Sequence, residues 1–455
     1  MSPVEVMDAV LAQSEHMHPL INATTAIYAA SARARAIEAE QRYRDGSARP
    51  LEGIPVAIKE ETAVAGWSRT IGSHLYDEVP ADNHPIVDKL IQAGAIPHLQ
   101  TTVPEFCVIG QTWSSRWGVT RNPWNRRLTC GGSSGGSGAA LAAGMTPLAT
   151  GSDMAGSTRI PAALQGLYGY KPPFGRLAAT PGEELFAFAV EGPLARNMTD
   201  LLIMHNVIVG PHPAGYVAMP TSPAALTYPD LQGWRIAYSL TTGCPTICPD
   251  TRRNLLQACE ALRARGASVE PVDIRWDNSE VAEVLVEGIF GLFFNEYLQK
   301  VGDDQLRRVS SYLEMLIRKY RGRHNSVMKS AQLASRLHQE MHAKVWGRGC
   351  RAFLCPTVFT TDIPADLDIR ATRQVVIEGV AVDSYLGWVG TPPFNLLSRY
   401  PVIAAPTGLA ATGVPTSVQI VAPPFEDAAA FQVACNLEQS GISDLYRNRF
   451  PDHDE

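Results

Sequence analysis

Hydrophobic and polar residues alternate over several short stretches of the chain, and other stretches repeat their apolar residues with a helical period. In GIPVAIKE, residues 53–60, branched apolar side chains alternate with small or polar ones. Apolar or small residues on both faces predict a strand inside a covered sheet. Lys59 lies at the end of this segment, where a buried ammonium is costly unless it is paired or loses its proton.

Two helices are predicted before this strand. At the N-terminus, Ser2, Pro3 and Glu5 fit an N-cap, a proline in the first turn and a capping-box glutamate, which predicts a helix through about residue 16. A segment rich in alanine and arginine predicts a second helix over about residues 25–43, with Gly46 as its stop signal.

Helices and strands alternate again after residue 138. AALAAG predicts a short helix closed by Gly144, MTPLATG predicts a strand, and STRIPAALQG predicts a helix that begins at Ser157. Asp250 fits the N-cap of a helix that Gly266 ends, and ASVEPVDI then predicts a strand. PVIAAP and PTSVQIVAPP predict two strands, and a final helix is predicted from Asp427 to about residue 440. This order indicates an α/β fold, and without an internal repeat or a long linker we expect a single domain over residues 1–455.

Composition narrows the classes of protein and partner. The 455 residues are 45% hydrophobic and 18% charged, with a formal net charge of −6, which is typical of a globular protein. The chain lacks a basic footprint and a long apolar run, so we expect a small-molecule substrate and neither nucleic acid nor a membrane as a partner. Eight scattered cysteines without a CxxC pair, and an N-terminus without a leader pattern, predict free thiols and a cytoplasmic protein.

The stretch TCGGSSGGSG, residues 129–138, is the most unusual in the chain because it consists almost entirely of glycine and serine. Gly132, Ser134 and Gly136 have the GxSxG spacing of a nucleophile elbow, but the strongly apolar strand that an elbow needs does not precede them. No GK[ST] follows, which argues against a phosphate-binding loop.

Three segments together indicate acyl-transfer chemistry. GIPVAIKE supplies a lysine, CGGSSGGSG supplies paired serines, and GSDMAGSTRIPA supplies Ser157 after several small residues. Small residues allow the backbone to bend sharply and to aim several N–H groups at one point. These segments could therefore provide a nucleophile, a proton relay, a base and an oxyanion hole.

The same segments resemble the amidase signature hydrolases. The resemblance rests on GGSSGGSGAALAAG followed by GSDMAGSTRIPAALQGLYGYKP, and extends to PLEGIPVAIKE, GVTRNPWN and GVPTSVQIVAPPFED in the family's order. It spans nearly the whole chain and is weakest over about residues 275–390. The family's fold is a central mixed, twisted β-sheet covered by α-helices on both faces. We therefore expect core blocks over residues 50–240 and 395–440, and a mostly helical substrate-entrance region over residues 275–390.

The resemblance implies a role for each matching position. The nucleophile falls on Ser157, the bridging serine, which follows a cis peptide bond, on Ser133, and the general base on Lys59, whose pKa burial is expected to lower. The oxyanion hole falls on the backbone N–H groups of Met154, Ala155, Gly156 and Ser157. Supporting roles fall on Ser134, Asp153 and Arg159, and the substrate pocket on Phe106, Cys107, Val108 and Trp113.

The implied activity is hydrolysis of the C–N bond of a carboxylic amide, with an apolar or aryl acyl group and without a metal or another cofactor. Carbamates and esters present a carbonyl that the same site could attack. Two other functions remain open at this point: the glutaminase subunit of a tRNA-dependent amidotransferase, and a non-catalytic binding protein. The protein is expected to be a monomer or a homodimer.

The chain departs from the family pattern at four positions. They are Glu60, where aspartate usually follows the lysine, Cys130 in place of a common proline, Ala155 in place of the first glycine of GGS, and Ser417 in place of a glycine. None of these departures removes a reacting group. The methyl group of Ala155 is nearest to the chemistry, but its residue keeps the backbone N–H.

Overall fold

Eleven strands form one mixed sheet in the computed structural model of the protein, which describes residues 1–180, 182–293, 301–322, 327–443, 445–446 and 451. From edge to edge the strands are β1 (Thr24–Ile27), β3 (Ile96–Thr101), β2 (Pro55–Lys59), β8 (Leu148–Asp153), β10 (Val190–Ala195), β9 (Tyr168–Lys171), β16 (Val402–Leu409), β17 (Pro415–Val421), β13 (Ala352–Pro356), β11 (Arg235–Tyr238) and β12 (Ser268–Pro271). Strand β2 is parallel to both of its neighbours, whereas the central strands from β8 to β13 pair antiparallel.

Within the described residues, three two-stranded ribbons lie outside this sheet. They are β4 (Trp113–Ser114) with β5 (Gly118–Val119), β6 (Arg121–Asn122) with β7 (Asn125–Thr129), and β14 (Gln374–Ile377) with β15 (Val380–Asp383). The α-helices in the described part of the chain are α1 (Pro3–Ile21), α2 (Ala29–Arg44), α3 (Pro85–Gln92), α4 (Gly135–Ala142), α5 (Arg159–Gln165), α6 (Met198–Ile208), α7 (Pro249–Ala264), α8 (Asn278–Gly288), α9 (Ser311–Tyr320), α10 (Val327–Lys344), α11 (Pro393–Leu396) and α12 (Asp427–Gln439).

Helices cover both faces of the sheet because alternate residues of the central strands point to opposite sides. Ile403 and Ile420 belong to one apolar cluster, to which α6, α7 and α12 also contribute. Val402 and Val421 belong to another, which includes residues of α5. The expected fold class, a mixed sheet between two layers of helices, is confirmed.

Most predicted elements are confirmed. Helix α1 has the predicted capping box and first-turn proline, and it extends to Ile21. The strands predicted at GIPVAIKE, MTPLATG, PVIAAP and PTSVQIVAPP are β2, β8, β16 and β17, and the predicted final helix is α12. The region expected to be mostly helical contains α8, α9 and α10 and then continues as β13. Within it, residues 294–300 and 323–326 lie outside the described residues.

Three boundaries differ from prediction. The helix predicted over residues 25–43 begins at Ala29, because the residues before it form β1 and pair with β3. Asp250 lies in the first turn of α7, and Cys248 is the N-cap residue. Helix α5 begins at Arg159 and not at Ser157, so the predicted nucleophile lies in the preceding turn. No helix in the described part of the chain combines the length and apolar character needed to cross a bilayer.

Candidate active site

Lys59 ends β2 with its side chain fully buried, at 0% exposure. Its Nζ lies 2.7 Å from Ser133 Oγ, 2.8 Å from Ser152 Oγ and 2.7 Å from Glu61 Oε1. Ser152 reaches it because β8 is the parallel neighbour of β2. The buried lysine is therefore paired, as its position in the sequence requires.

Ser133 is held by the tight glycine-serine segment between β7 and α4. The peptide bond between Gly132 and Ser133 is cis, as the resemblance implies. A Cβ at Gly132 would lie 2.4 Å from the carbonyl oxygen of Gln111, so the backbone there approaches its neighbour too closely for a side chain. Ser133 itself is 1% exposed, and its hydroxyl accepts a hydrogen bond from Lys59.

Ser157 lies in the turn between β8 and α5 and is 7% exposed. Its carbonyl oxygen accepts a hydrogen bond of 3.2 Å from the N–H of Ser134, which joins this turn to the glycine-serine segment. The hydroxyl of Ser134 in turn accepts the N–H of Ser152 at 3.3 Å. Ser134 thus connects the strand beside Lys59 to the turn that carries Ser157.

The buried side chains of Asp153 and Arg159 stabilise the turn that carries Ser157. Asp153 Oδ1 accepts the N–H of Gly156 at 2.9 Å, and Oδ2 accepts that of Thr158 at 3.3 Å. The guanidinium of Arg159 donates to both carboxylate oxygens, at 2.9 and 2.8 Å, and both side chains are fully buried. Burial alone would raise the pKa of Asp153, but Arg159 outweighs it and the pKa lies below its usual value. Arg159 is therefore not part of an exposed ion pair.

The N–H groups expected to form the oxyanion hole are not equivalent. Gly156 already donates its N–H to Asp153, so this predicted donor is occupied. The N–H groups of Met154, Ala155 and Ser157 make no backbone hydrogen bond among the described residues. Thr391 Oγ donates to the carbonyl oxygen of Ala155 at 2.6 Å, which fixes the peptide planes of this turn.

The expected protonation state of Lys59 is wrong for this structure. Burial lowers the pKa of Lys59, but nearby acidic groups outweigh burial and raise it above its ordinary value of 10.5. Burial and the Glu61 carboxylate raise the pKa of the Cys107 thiol well above its usual range, so Cys107 is uncharged. Glu61 is therefore the anion that stabilises the ammonium of Lys59.

A cavity of about 280 Å³ lies beside Lys59 and the turn before Ser157. Phe106 and Cys107, two of the predicted pocket residues, line it, and both have left-handed backbones, with φ of 52° and 59°. Such strain in non-glycine residues is concentrated at functional sites. The remaining wall combines apolar residues, acidic residues and two basic ones, chiefly Ile71, Met154, Val190, Glu61, Glu183, Glu191, Arg69 and His84.

The other two predicted pocket residues do not line this cavity. Trp113 packs its ring edge-on against Tyr312 at 4.7 Å and donates its indole N–H to the carbonyl oxygen of Leu367. The carbonyl oxygen of Val108 accepts the hydroxyl of Tyr385 at 2.7 Å. Both residues are held by packing and hydrogen bonds outside the cavity wall.

Sequence reasoning missed Glu61, Ser152 and Glu191. Glu61 carried a usable signal, because it lies two residues after a lysine at the end of a predicted buried strand. Ser152 and Glu191 are opposite each other in the antiparallel pair of β8 and β10, which no local pattern reveals. These side chains reach the site only through strand pairing.

Two departures from the family pattern have structural roles. Glu60 is buried, and its Oε1 accepts the N–H and the hydroxyl of Thr70, which anchors the segment after β2. Ser417 shares a hydrogen bond of 3.0 Å with Thr357 between neighbouring strands. Neither side chain contacts Lys59.

Comparisons with known proteins agree on one family. A family model described as Amidase matches residues 5–431. An acylamidase from Rhodococcus erythropolis is 31% identical, over 96% of this chain and 92% of its own length. A glutamyl-tRNA(Gln) amidotransferase subunit from Symbiobacterium thermophilum is 28% identical, over 95% of this chain and 92% of its own length. The crystal structure of a bacterial aryl acylamidase of the amidase signature family is 24% identical and shares the fold, with a TM-score of 0.86 over 99% of this chain and 96% of that one.

Proposed function

The chain belongs to the amidase signature family of hydrolases, and from this premise we propose that it hydrolyses amides through an acyl-enzyme on Ser157, with Ser133 as proton relay and Lys59 as base. The contact of 2.7 Å between Lys59 Nζ and Ser133 Oγ is the observation that carries the proposal. A hydroxyl both donates and accepts, so Ser133 can pass a proton from Ser157 to Lys59 without storing charge.

The chemistry begins when Ser157 Oγ attacks the carbonyl carbon while its proton moves through Ser133. The oxyanion that forms is stabilised by the N–H groups of Met154, Ala155 and Ser157. Removing one such donor typically slows a reaction by about 10²–10³-fold. The relay then runs in reverse to protonate the leaving amine, and water hydrolyses the acyl-enzyme.

The proposed substrates are amides with an apolar or aryl acyl group. The cavity beside the turn offers Ile71, Phe106, Met154 and Val190 to such a group. The name of the Rhodococcus erythropolis acylamidase agrees with this class. Carbamates and esters with similar groups fit the same proposal, because the relay acts on the carbonyl they share.

The test is turnover of a panel of anilides, carbamates and esters by the purified chain and by Ser157→Ala, Ser133→Ala and Lys59→Ala. Each variant is expected to lose at least about 10³-fold in kcat. Ser137→Ala is the matched control, since Ser137 lies in the same glycine-serine stretch but hydrogen-bonds Thr101. Near-normal turnover by any of the three variants would remove that residue from its role.

Two further experiments separate the alternatives. The glutaminase role is a candidate because an amidotransferase subunit is among the relatives. A purified chain that hydrolyses anilides without a partner subunit, and does not hydrolyse glutamine, does not have the glutaminase role. A binding protein without catalysis would leave Ser157 unlabelled by a fluorophosphonate, whereas an acyl-enzyme hydrolase is labelled there.

A further inference from the structure

The environment of Lys59 fits an ammonium and not the neutral amine that the reaction needs. Three oxygen atoms lie within 2.8 Å of its Nζ, from Ser133, Ser152 and Glu61. An ammonium has three N–H bonds and donates one to each of them. A base must instead offer a lone pair to Ser133, so one proton has to leave Lys59 before the relay can run.

Glu61 is placed to receive that proton. Its Oε1 is 2.7 Å from Lys59 Nζ and also accepts the hydroxyl of Ser152. The Glu61 side chain is 19% exposed, and it lines the cavity beside the turn that carries Ser157. It is thus in contact both with the base and with the space that a substrate would fill.

We propose that Glu61 is a fourth member of the site: when substrate fills the cavity, the Glu61 carboxylate takes a proton from Lys59 and leaves it neutral. This inference rests on the proposed function. In the step, an N–H bond of Lys59 breaks and an O–H bond forms on Glu61. The freed lone pair of Lys59 then accepts the Ser133 proton as Ser133 accepts that of Ser157. When the intermediate collapses, Lys59 returns this second proton through Ser133 to the leaving nitrogen, and Glu61 later returns the first to Lys59.

Loss of water from the cavity provides the driving force. A buried ion pair gains its attraction at the expense of two hydration shells, and further desolvation penalises both charges. A substrate in the cavity removes the remaining water from Glu61 and favours the neutral pair of amine and carboxylic acid. Two basic groups line the same cavity: Arg69, which donates to the carbonyl oxygen of Glu61 and pairs with Glu78, and His84, which contacts Glu183. The titratable groups that act on the pair are the uncharged Cys107, from the turn before β4, and Glu191, from β10, whose pKa is raised, chiefly by burial, to about 8.

The pH dependence of kcat/KM shows whether Lys59 gives its proton to Glu61 or to solvent. With an internal transfer, the active form has the same number of protons as the resting ion pair. Activity therefore persists until Glu61 is protonated, and although burial raises the pKa of Glu61, Lys59 holds it below 4.5. We expect the acid limb of the wild-type profile below about pH 5. Without this role, Lys59 must lose its proton to solvent, and the limb would lie near or above about pH 10.

Substitution of Glu61 should move the acid limb in opposite directions, depending on whether Glu61 accepts the proton of Lys59. In Glu61→Gln the lysine loses its acceptor and must release its proton to solvent, so the acid limb moves up by about 2 or more pH units and activity recovers at alkaline pH. Glu61→Asp, which retains a carboxylate, should keep the limb near its wild-type position. Glu270→Gln removes an exposed carboxylate on β12 that does not line the cavity, and it should leave the limb in place.

Three results would overturn the inference: a wild-type limb near pH 10, a limb that moves down in Glu61→Gln, or a folded Glu61→Gln variant that stays inactive up to about pH 10. Labelling of Ser157 by a fluorophosphonate and the melting temperature are measured in each variant. A labelled, folded enzyme with the wrong pH profile would contradict the role of Glu61 alone. An enzyme without labelling or turnover would contradict the proposed function instead.

Discussion

Gly156 is the residue next to the proposed nucleophile with the least room for change. Its φ is +119°, and a Cβ there would lie 2.1 Å from Thr391 Oγ. The same Thr391 hydroxyl holds the carbonyl oxygen of Ala155. An added methyl group would therefore displace the contact that orients the oxyanion turn.

We expect Gly156→Ala to lower kcat by about 10²-fold or more, because the remaining N–H donors would no longer converge on one point. Gly210→Ala is the matched control: Gly210 also has a positive φ, of +87°, but nothing lies within 4 Å of the added Cβ. The control should cost about 1–2 kcal/mol of stability and leave kcat unchanged. Steady-state kinetics and thermal unfolding of both variants would check this, and equal losses of kcat would contradict it.

Sequence patterns identify single site residues where the surrounding segment itself indicates the chemistry. Ser157, Ser133 and Lys59 each lie in a segment whose small or alternating residues indicate a special backbone. Glu61 follows a predicted strand end and looks like one of many exposed acidic residues. Its place two residues after Lys59 is the signal that the sequence contains, whereas its contact with Ser152 depends on the pairing of β2 with β8.

The turn between β8 and α5 depends on one buried ion pair. The carboxylate of Asp153 accepts hydrogen bonds from the N–H groups of Gly156 and Thr158 and from the guanidinium of Arg159. An amide in its place would offer one acceptor atom and point two N–H donors at groups that also donate. Arg159 would then be a buried cation without an anion.

We expect Asp153→Asn to reduce the free energy of unfolding by about 3 kcal/mol at neutral pH and to lower kcat more than it changes KM. The folded-state pKa of Asp153 lies below 3.8, so its stabilisation is present above the unfolded-state pKa and is lost as pH falls through the folded-state pKa. The difference between wild type and variant should therefore shrink below about pH 4. Denaturant titrations at several pH values measure it.

Asp427→Asn is the matched control for this prediction. Asp427 pairs with Arg176 at 2.8 Å and accepts the hydroxyl of Tyr170, at a distance from the turn in sequence and in the sheet. This variant should lose stability but keep its kcat per folded molecule. A comparable fall in kcat would mean that general destabilisation, and not the turn, explains the result for Asp153.

Whole elements could be predicted where one segment contains its own signals. Helix α1 was predictable from its capping box, and β2 from its alternation. The segment before α2 was mistaken for helix because its alanine-rich continuation dominates the pattern, whereas Thr24 and Ile27 pair with β3. That pairing involves residues 72 to 77 positions away, and local propensity contains no information about it.

In the whole molecule, the fold brings together site residues from distant parts of the chain. Parallel β2 and β8 bring Lys59 and Ser152 to the same end of the sheet, and β10 adds Glu191 opposite Ser152. The sequence resemblance predicted which blocks meet, since the family supplies their order. It could not predict the charge of the cavity, because the acidic residues that line it lie in segments without a motif.

The charge of this cavity leads to a prediction about substrate choice. Contact with His84 outweighs burial and lowers the pKa of Glu183 to about 2, so this carboxylate is ionised at neutral pH. Burial and nearby Glu61 raise the pKa of Glu191 to about 8, so Glu191 ionises only in mildly alkaline solution. The basic groups of the same wall already have acidic partners, since Arg69 pairs with Glu78 and His84 contacts Glu183. An acyl group that carries a carboxylate would therefore meet one or two further anions in a partly dry space, and like charges there cost several kcal/mol.

We therefore expect kcat/KM for an anilide with a carboxylate on its acyl group to be about 10²-fold lower than for the matching neutral anilide. The discrimination should grow as pH rises through about 8, because Glu191 then adds a second negative charge. Glu191→Gln should abolish this increase, and Glu183→Gln should reduce the discrimination at neutral pH. Glu270→Gln, at an exposed position on β12, should do neither. If the two anilides reacted equally at every pH, the acyl group would not occupy this cavity, and the proposed substrate class would have to be derived from another surface.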